Sequence, residues 1–183
     1  MEKSSLRQKA DEAKKHRCTT LVCVLENPKN IINVGAIIRN IDCLGVSKVY
    51  VIDPTNSLQN IKPETLNKCS ASADKYVYVK TFSSTTECIK CLENSNYTSL
   101  VTSPHLKDHT NIPLETGDFT KYKKLAVWFG NESHGVSEEA ITSSNGCVQI
   151  KMGGIVESLN LAVSSGIVLH TIAHQRRVFS NKN

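Results

Sequence analysis

Gly153-Gly-Ile-Val-Glu-Ser-Leu-Asn-Leu-Ala-Val-Ser-Ser-Gly166 is the stretch from which the rest of this chain is read. Two glycines lead into a pattern that continues as a helix from about Glu157 to Arg177, whose first turn holds Ser158 and Asn160; a glycine-rich connection with Ser158 as an ordinary cap is the plainer alternative. A helix start leaves backbone N–H groups unpaired and carries a partial positive charge. Such an end holds a polar ligand without needing a charged side chain. Leu159, Leu161, Val163 and Ile167 continue as an apolar face, so the segment reads as a ligand cradle set against a packed core.

Upstream, short β-rich runs alternate with helical patterns. Strands are expected at Leu21–Leu25, Val49–Ile52, Tyr76–Val79, Ser99–Thr102, Leu125–Phe129 and Val148–Ile150. Between them, Val34, Ile37, Ile38, Ile41 and Leu44 recur at the spacing of one helix face, with Asn33 placed to cap it and Gly45 to stop it. Further helices are expected at residues 3–16, Glu64–Lys68, Ser84–Asn94 and Ser137–Thr142, and an irregular segment from Ser103 to Lys124. Strands separated by helices predict an α/β fold, a mainly parallel sheet with helices on both faces. Ligands in such sheets collect beyond the carboxyl ends of the strands. Three polar segments fall there: Glu26–Asn33, Gly130–Gly135 and Lys151–Ser158.

At 183 residues, with 39% hydrophobic and 21% charged, the chain is the size of one soluble domain with a substantial core. No apolar run approaches the roughly 18 to 20 residues of a membrane span. The opening MEKSSLRQKADEAKKHR has no apolar signal core and carries acidic residues, so a cytoplasmic protein is expected. The net charge of +5 is concentrated at the ends: Lys3, Arg7, Lys9, Lys14, Lys15 and Arg17 in one, Arg176, Arg177 and Lys182 in the other. That distribution suits a phosphate-backbone partner. The seven cysteines are odd in number and scattered through apolar segments, which predicts reduced, buried thiols. Cys88 and Cys91 form a lone C-x-x-C pair with nothing to complete a zinc site, so no metal is expected.

Two further constellations sit at the expected crevice. In Asn33-Val-Gly-Ala-Ile-Ile-Arg39, a glycine inside a helix costs roughly 1 kcal/mol against alanine and asks for a close approach. Cap, packing contact and salt-bridged arginine are an equally consistent account of these residues. In Gly130-Asn-Glu132-Ser-His134-Gly135, an acid stands between two glycines after a strand. It reads either as punctuation between strand and helix or as a binder of a ligand's donors. No G-x-G-x-x-G opens the first βα turn, which removes a dinucleotide-binding oxidoreductase.

Taken together, the three segments resemble the SpoU (TrmH-type) RNA ribose 2′-O-methyltransferases of the SPOUT superfamily. The family's Asn then Gly-x-x-x-Arg is matched by Asn33, Gly35 and Arg39. Its Gly-x-Glu-x-x-Gly is matched by Gly130, Glu132 and Gly135, and its Ile-x-Met then Ser-Leu-Asn by Ile150, Met152, Ser158, Leu159 and Asn160. The likeness spans roughly residues 18 to 177. His134 and the cysteines match none of the family's motifs.

The resemblance implies a single knotted domain: residues 18–177 as catalytic core with a C-terminal deep trefoil knot, and residues 1–17 as a basic N-terminal helix. It implies S-adenosylmethionine held by Thr102, Gly130, Ile150, Met152, Ser158 and Leu159, and a homodimer with sites near the interface. Asn33, Arg39, Glu132, Ser158 and Asn160 become the expected catalytic group. Arg7, Lys14, Arg17 and Arg176 become the expected RNA contacts, with tRNA the favoured substrate. An rRNA enzyme and a non-catalytic RNA-binding module on the same fold are the alternatives. The family's arginine is described as the base. A guanidinium with a pKa above about 12 suits a phosphate and alkoxide clamp at least as well.

Overall fold

The computed structural model describes residues 4–58, 63–103 and 110–180. Two apolar runs form the middle of its sheet. β1 (Cys18–Glu26) carries Leu21–Leu25 and β6 is Leu125–Phe129. All ten residues are buried, and they pair in parallel from Leu21↔Leu125 to Leu25↔Phe129. A strand covered on both faces is apolar throughout, not alternating. β2 (Val46–Ile52) and β3 (Tyr78–Phe82) extend the sheet on one side. β4 (Thr98–Thr102), β7 (Cys147–Gln149) and β5 (Asn111–Pro113) extend it on the other. The order is β3-β2-β1-β6-β4-β7-β5, and every pairing is parallel.

β5 corrects the expectation of an irregular segment after Ser103. Asn111, Ile112 and Pro113 pair with Cys147, Val148 and Gln149 at the sheet edge. Three residues carry no periodicity, so only the pairing defines this strand. Residues 104–109 of that segment lie outside the described residues. Having reached that edge, the chain returns to insert β6 between β1 and β4, then β7 between β4 and β5.

Alternate side chains of β1 feed two cores. Leu21, Cys23 and Leu25 meet α2 (Ile31–Cys43), α3 (Pro63–Ser70) and α6 (Leu161–Ser180) on one face. Val22 and Val24 meet α4 (Thr85–Asn94) and α5 (Glu138–Ser143) on the other. α1 (Ser5–Lys15) precedes β1. Each buried Val, Leu or Ile contributes about 1.5–3 kcal/mol. Gly35 permits the packing of α2 on α3: a Cβ there would stand 2.3 Å from the Cβ of Cys69. Gly45, at φ +69°, ends α2 in the left-handed region.

Two helix starts differ from the sequence reading. α2 begins at Ile31 with Asn30 as its cap, the side chain accepting from Ile32 N at 2.9 Å. α6 begins at Leu161, and Asn160 Oδ1 accepts from Ala162 N at 2.8 Å and Val163 N at 3.3 Å. Asn33 therefore lies inside a first turn, and Ser158 lies in the loop before a helix. Asn and Ser cap about equally well, so composition does not choose between neighbouring candidates. Leu159, Val163 and Ile167, read as part of the apolar face, are exposed, while Leu161 is buried as expected and Val168, Leu169 and Ile172 join it.

Of the cysteines, Cys23, Cys88 and Cys147 are buried, but Cys43 is exposed, against expectation. Burial pushes all three buried thiols up, Cys147 to about 11. Among the described residues no cluster of metal-ligating side chains forms, and no helix is long and apolar enough to cross a membrane.

Candidate active site

A cleft of about 530 Å³ opens beyond the carboxyl ends of β4, β6 and β7. Phe129, Val148, Leu161 and Val168 give it an apolar floor, and Thr102, Gly130, Glu132, Ser158 and Asn160 a polar rim. Its volume and mixed lining are those of a small-molecule site. All six residues expected to hold a cofactor line it: Thr102, Gly130, Ile150, Met152, Ser158 and Leu159. The Thr102 hydroxyl donates to Trp128 O at 2.8 Å, which commits that side chain to the fold.

The loop after β6 is a tight two-armed turn. Asn131 N donates to Gly135 O at 2.9 Å and Gly135 N to Asn131 O at 2.8 Å. A Cβ on Gly130 would stand 2.0 Å from the carbonyl carbon of Gly135, so only glycine permits this closure. Gly135 is needed for a different reason: its φ is +71°. Asn131 is buried, donates from Nδ2 to Asn27 O at 2.7 Å, and accepts from Ser133 N at 2.8 Å.

Glu26 fixes the far end of the same loop. It is buried at the end of β1. Its Oε1 accepts from the hydroxyls of Thr85 and Ser137, both at 2.6 Å, and its Oε2 from Ser137 N at 2.8 Å. Ser137 also caps α5. Sequence reading missed Glu26, Asn27, Lys29 and Asn131. The available signal was an acid closing an otherwise apolar strand, since a buried carboxylate needs donors.

Held this way, Glu132 joins the segment after β1 and the start of α6 in one hydrogen-bonded chain. Its Oε2 accepts from Lys29 N at 3.1 Å and its Oε1 from Asn33 Nδ2 at 2.9 Å. Asn33 Oδ1 accepts from Asn160 Nδ2 at 3.2 Å, and Asn160 Oδ1 caps α6. A carboxylate only accepts, so Asn33 must turn its amide nitrogen toward Glu132, leaving its oxygen for Asn160. Desolvation pushes the Glu132 carboxyl up, but hydrogen bonds from Asn33 and backbone N–H groups, Lys29 among them, outweigh it. The group is held below its ordinary value.

Arg39 is exposed on α2 and does not line the cleft of its own chain. Six residues separate it from Asn33, about 9 Å of helix rise. Arg7 and Lys14 are exposed on α1. Arg17 and Arg176, expected to reach RNA, are both engaged within the chain. Arg17 pairs with Asp42 and donates to Tyr76 O at 2.9 Å. Arg176 is 8% exposed, and its terminal nitrogens donate to Phe119 O, Tyr122 O, Lys123 O and Thr20 Oγ1. Both side chains tie the fold together. Lys3 and Lys182 lie outside the described residues.

The sequence and its fold have counterparts among known proteins. A tRNA (guanosine(18)-2′-O)-methyltransferase of Thermus thermophilus is 32% identical over 170 residues, which are 93% of this chain and 82% of that protein. A solved A. aeolicus TrmH/SpoU tRNA modifying enzyme shares the fold with a TM-score of 0.79 at 24% identity, covering 96% of this chain and 86% of that one. The SpoU methyltransferase AviRb of Streptomyces viridochromogenes, solved in complex with the cofactor AdoMet, shares it at TM-score 0.74 and 23% identity. That match covers 87% of this chain and 62% of that one. A profile of the SpoU rRNA Methylase family matches residues 20–170, and the chain belongs to that family.

Proposed function

We propose that this chain is an S-adenosylmethionine-dependent RNA ribose 2′-O-methyltransferase acting on tRNA. One observation carries the reading: Glu132, Asn33 and Asn160, from three distant segments, form one hydrogen-bonded chain on the rim of the cleft. The donor set suits the cofactor. The floor is apolar for an adenine, loop backbone surrounds it, and Glu132 is an ionised carboxylate at the mouth for a sulfonium cation. Thr102, Gly130, Ile150, Met152, Ser158 and Leu159 would hold it. When bound, the cofactor supplies an electrophilic methyl carbon that needs no metal to activate it.

The chain's own residues would have two tasks at a ribose 2′-hydroxyl: to orient it toward the cleft and to give its proton a place to go. Asn33 and Asn160 orient the ribose, and Glu132 fixes both amides through the acceptor it presents. Arg39 clamps the neighbouring phosphate and stabilises the developing alkoxide, with the proton leaving to phosphate or water. The preference for tRNA rests on the Thermus relative. Arg7 and Lys14 are the RNA contacts proposed on α1.

In this reading the protein works in the cytoplasm as a homodimer whose chain carries the trefoil knot at its C-terminal end. The late insertion of β6 and β7 between strands already placed is consistent with that threading. Exposed Val163 and Ile167 on α6, with Leu159 beside the cleft, support a second copy covering this side. So does the exclusion of Arg39 from its own cleft. Sedimentation that returns only monomer removes this part of the proposal.

Labelled methyl donor incubated with separate pools of unmodified tRNA and rRNA tests the function, with the labelled nucleotide mapped. Transfer to tRNA ribose is expected, and transfer confined to rRNA would reassign the substrate. Arg39→Ala is expected to abolish transfer while leaving cofactor affinity within a few fold. Loss of folding and cofactor binding together would make Arg39 structural.

A further inference from the structure

α6 is buried along one face and bare along the other. Val168, Leu169, Ile172 and Ala173 pack into the core, whereas Val163, Ile167, His170, His174 and Val178 are exposed. Steps of three and four residues place the exposed five on one stripe of the helix. α6 contains no acidic residue.

Two imidazoles stand in the middle of this stripe. His170 and His174 are one helical turn apart, and their rings lie within 9° of parallel, with centroids 6.2 Å apart. Among the described residues neither ring has a hydrogen-bond or ion-pair partner. His16, by contrast, is paired with Glu12. Thr171 turns its hydroxyl back to Ile167 O at 3.1 Å, and Arg177, the cation on the next turn, donates to Leu44 O at 2.8 Å. The backbone beneath the pair is held by buried Ile172 and Ala173 and by the bonds of Arg176 to Phe119 O and Tyr122 O.

Histidines at i and i+4 on one helix face have the spacing that binds zinc. Zinc takes four ligands in a tetrahedron, and imidazole nitrogen is among its regular donors. One chain supplies two of the four. No third histidine, cysteine or carboxylate joins them among the described residues, so the site is half built. A two-fold dimer sets the same patch of each copy against the other, and a second pair would complete the tetrahedron.

We infer that His170 and His174 of two copies form one four-imidazole site for a divalent cation of the zinc class, at the interface of the proposed homodimer, on which the site depends. The uncharged stripe lets two copies of a chain of net charge +5 approach each other. Imidazoles covered by a partner lose water, and a shared cation replaces it. The lone pair Cys88 and Cys91, on α4 across the sheet, takes no part.

Titration calorimetry with zinc chloride, and sedimentation in zinc and in chelator, test the site. One zinc per two chains is expected, with the dimer about ten-fold tighter or more in zinc. His170→Gln and His174→Gln should each remove the zinc effect, whereas His16→Gln should keep it. One zinc per chain, or zinc binding that survives both histidine substitutions, overturns the shared site. A dimer equally tight in zinc and in chelator overturns it and leaves the homodimer standing. Monomer under every condition refutes the homodimer, and the shared site with it.

Discussion

Gly130→Ala is the sharpest test of the cleft, because the obstacle is backbone. The added methyl would meet Gly135 C at 2.0 Å, Val136 N at 2.1 Å and Gly135 O at 2.3 Å. Carbon contacts settle near 3.5–4.0 Å, so the two arms of the turn must part by roughly 1.5 Å. That breaks the reciprocal pair between Asn131 and Gly135, at about 1 kcal/mol for each bond. Displacement of packed neighbours adds about 1–3 kcal/mol. The total is about 3–5 kcal/mol, and for a domain of this size the midpoint should fall by roughly 6–15 °C. Affinity for S-adenosylmethionine should fall further than stability alone predicts, since the turn is a wall of the cleft. Scanning fluorimetry and titration calorimetry measure the two effects. Gly135→Asn is the control: nothing lies within 4 Å of its Cβ, and Asn tolerates a φ of +71°. A Gly130→Ala protein that melts and binds like the wild type would refute the closure argument.

Glu132→Gln keeps the shape but removes the charge that Asn33 and Lys29 N serve. Hydrogen bonds to a charged group contribute about 1.5–3 kcal/mol, so kcat/KM should fall about 10- to 150-fold. Because folding lowers the Glu132 pKa, its stabilisation is complete above the unfolded value near 4.3 and is lost as pH falls through the folded one. The wild-type and Glu132→Gln rate profiles should therefore run parallel from about pH 5.5 upward. Convergence of the two within that range would count against an ionised Glu132. Glu26→Ala strands the N–H and hydroxyl of Ser137 and the hydroxyl of Thr85, and should cost about 3 kcal/mol. Urea unfolding measures this, and a loss under 1 kcal/mol would remove Glu26 from the loop's support.

The middle of the sheet was legible because its strands are buried on both faces. Leu21–Leu25 and Leu125–Phe129 are continuous apolar runs, and the helix between Asn33 and Leu44 shows its core face at regular spacing. β5 was not legible, because three residues at an edge are ordered by their partner strand and not by their own pattern. α6 was read as a helix, but its start was set about four residues early and its core face was only partly right. Val163 and Ile167 count as apolar in any periodicity, yet they face outward here. In the proposed homodimer, this face is where a second copy would pack.

The site shows the same division more finely. Glycines and polar residues at strand ends marked which loops mattered, since turns and unpaired N–H groups demand those residue types. What the sequence could not supply was the direction of each side chain. Asn33 and Ser158 were read as caps, but Asn30 and Asn160 do the capping. That exchange is functional as well as local. A capping Asn33 would have turned its oxygen toward its own helix, away from Asn160, and would not have presented its amide to Glu132. By starting α2 three residues earlier, Asn30 releases Asn33 to join loops about a hundred residues apart in sequence. Asn160 can do both jobs because its oxygen caps α6 while its nitrogen reaches Asn33. Replacing Asn160 with Asp would keep the cap and delete the donor, so α6 should survive while the coupling to Glu132 is lost. Methyl transfer reduced in Asn160→Asp at an unchanged thermal midpoint would separate the two roles, and a fall in both would show that they cannot be separated.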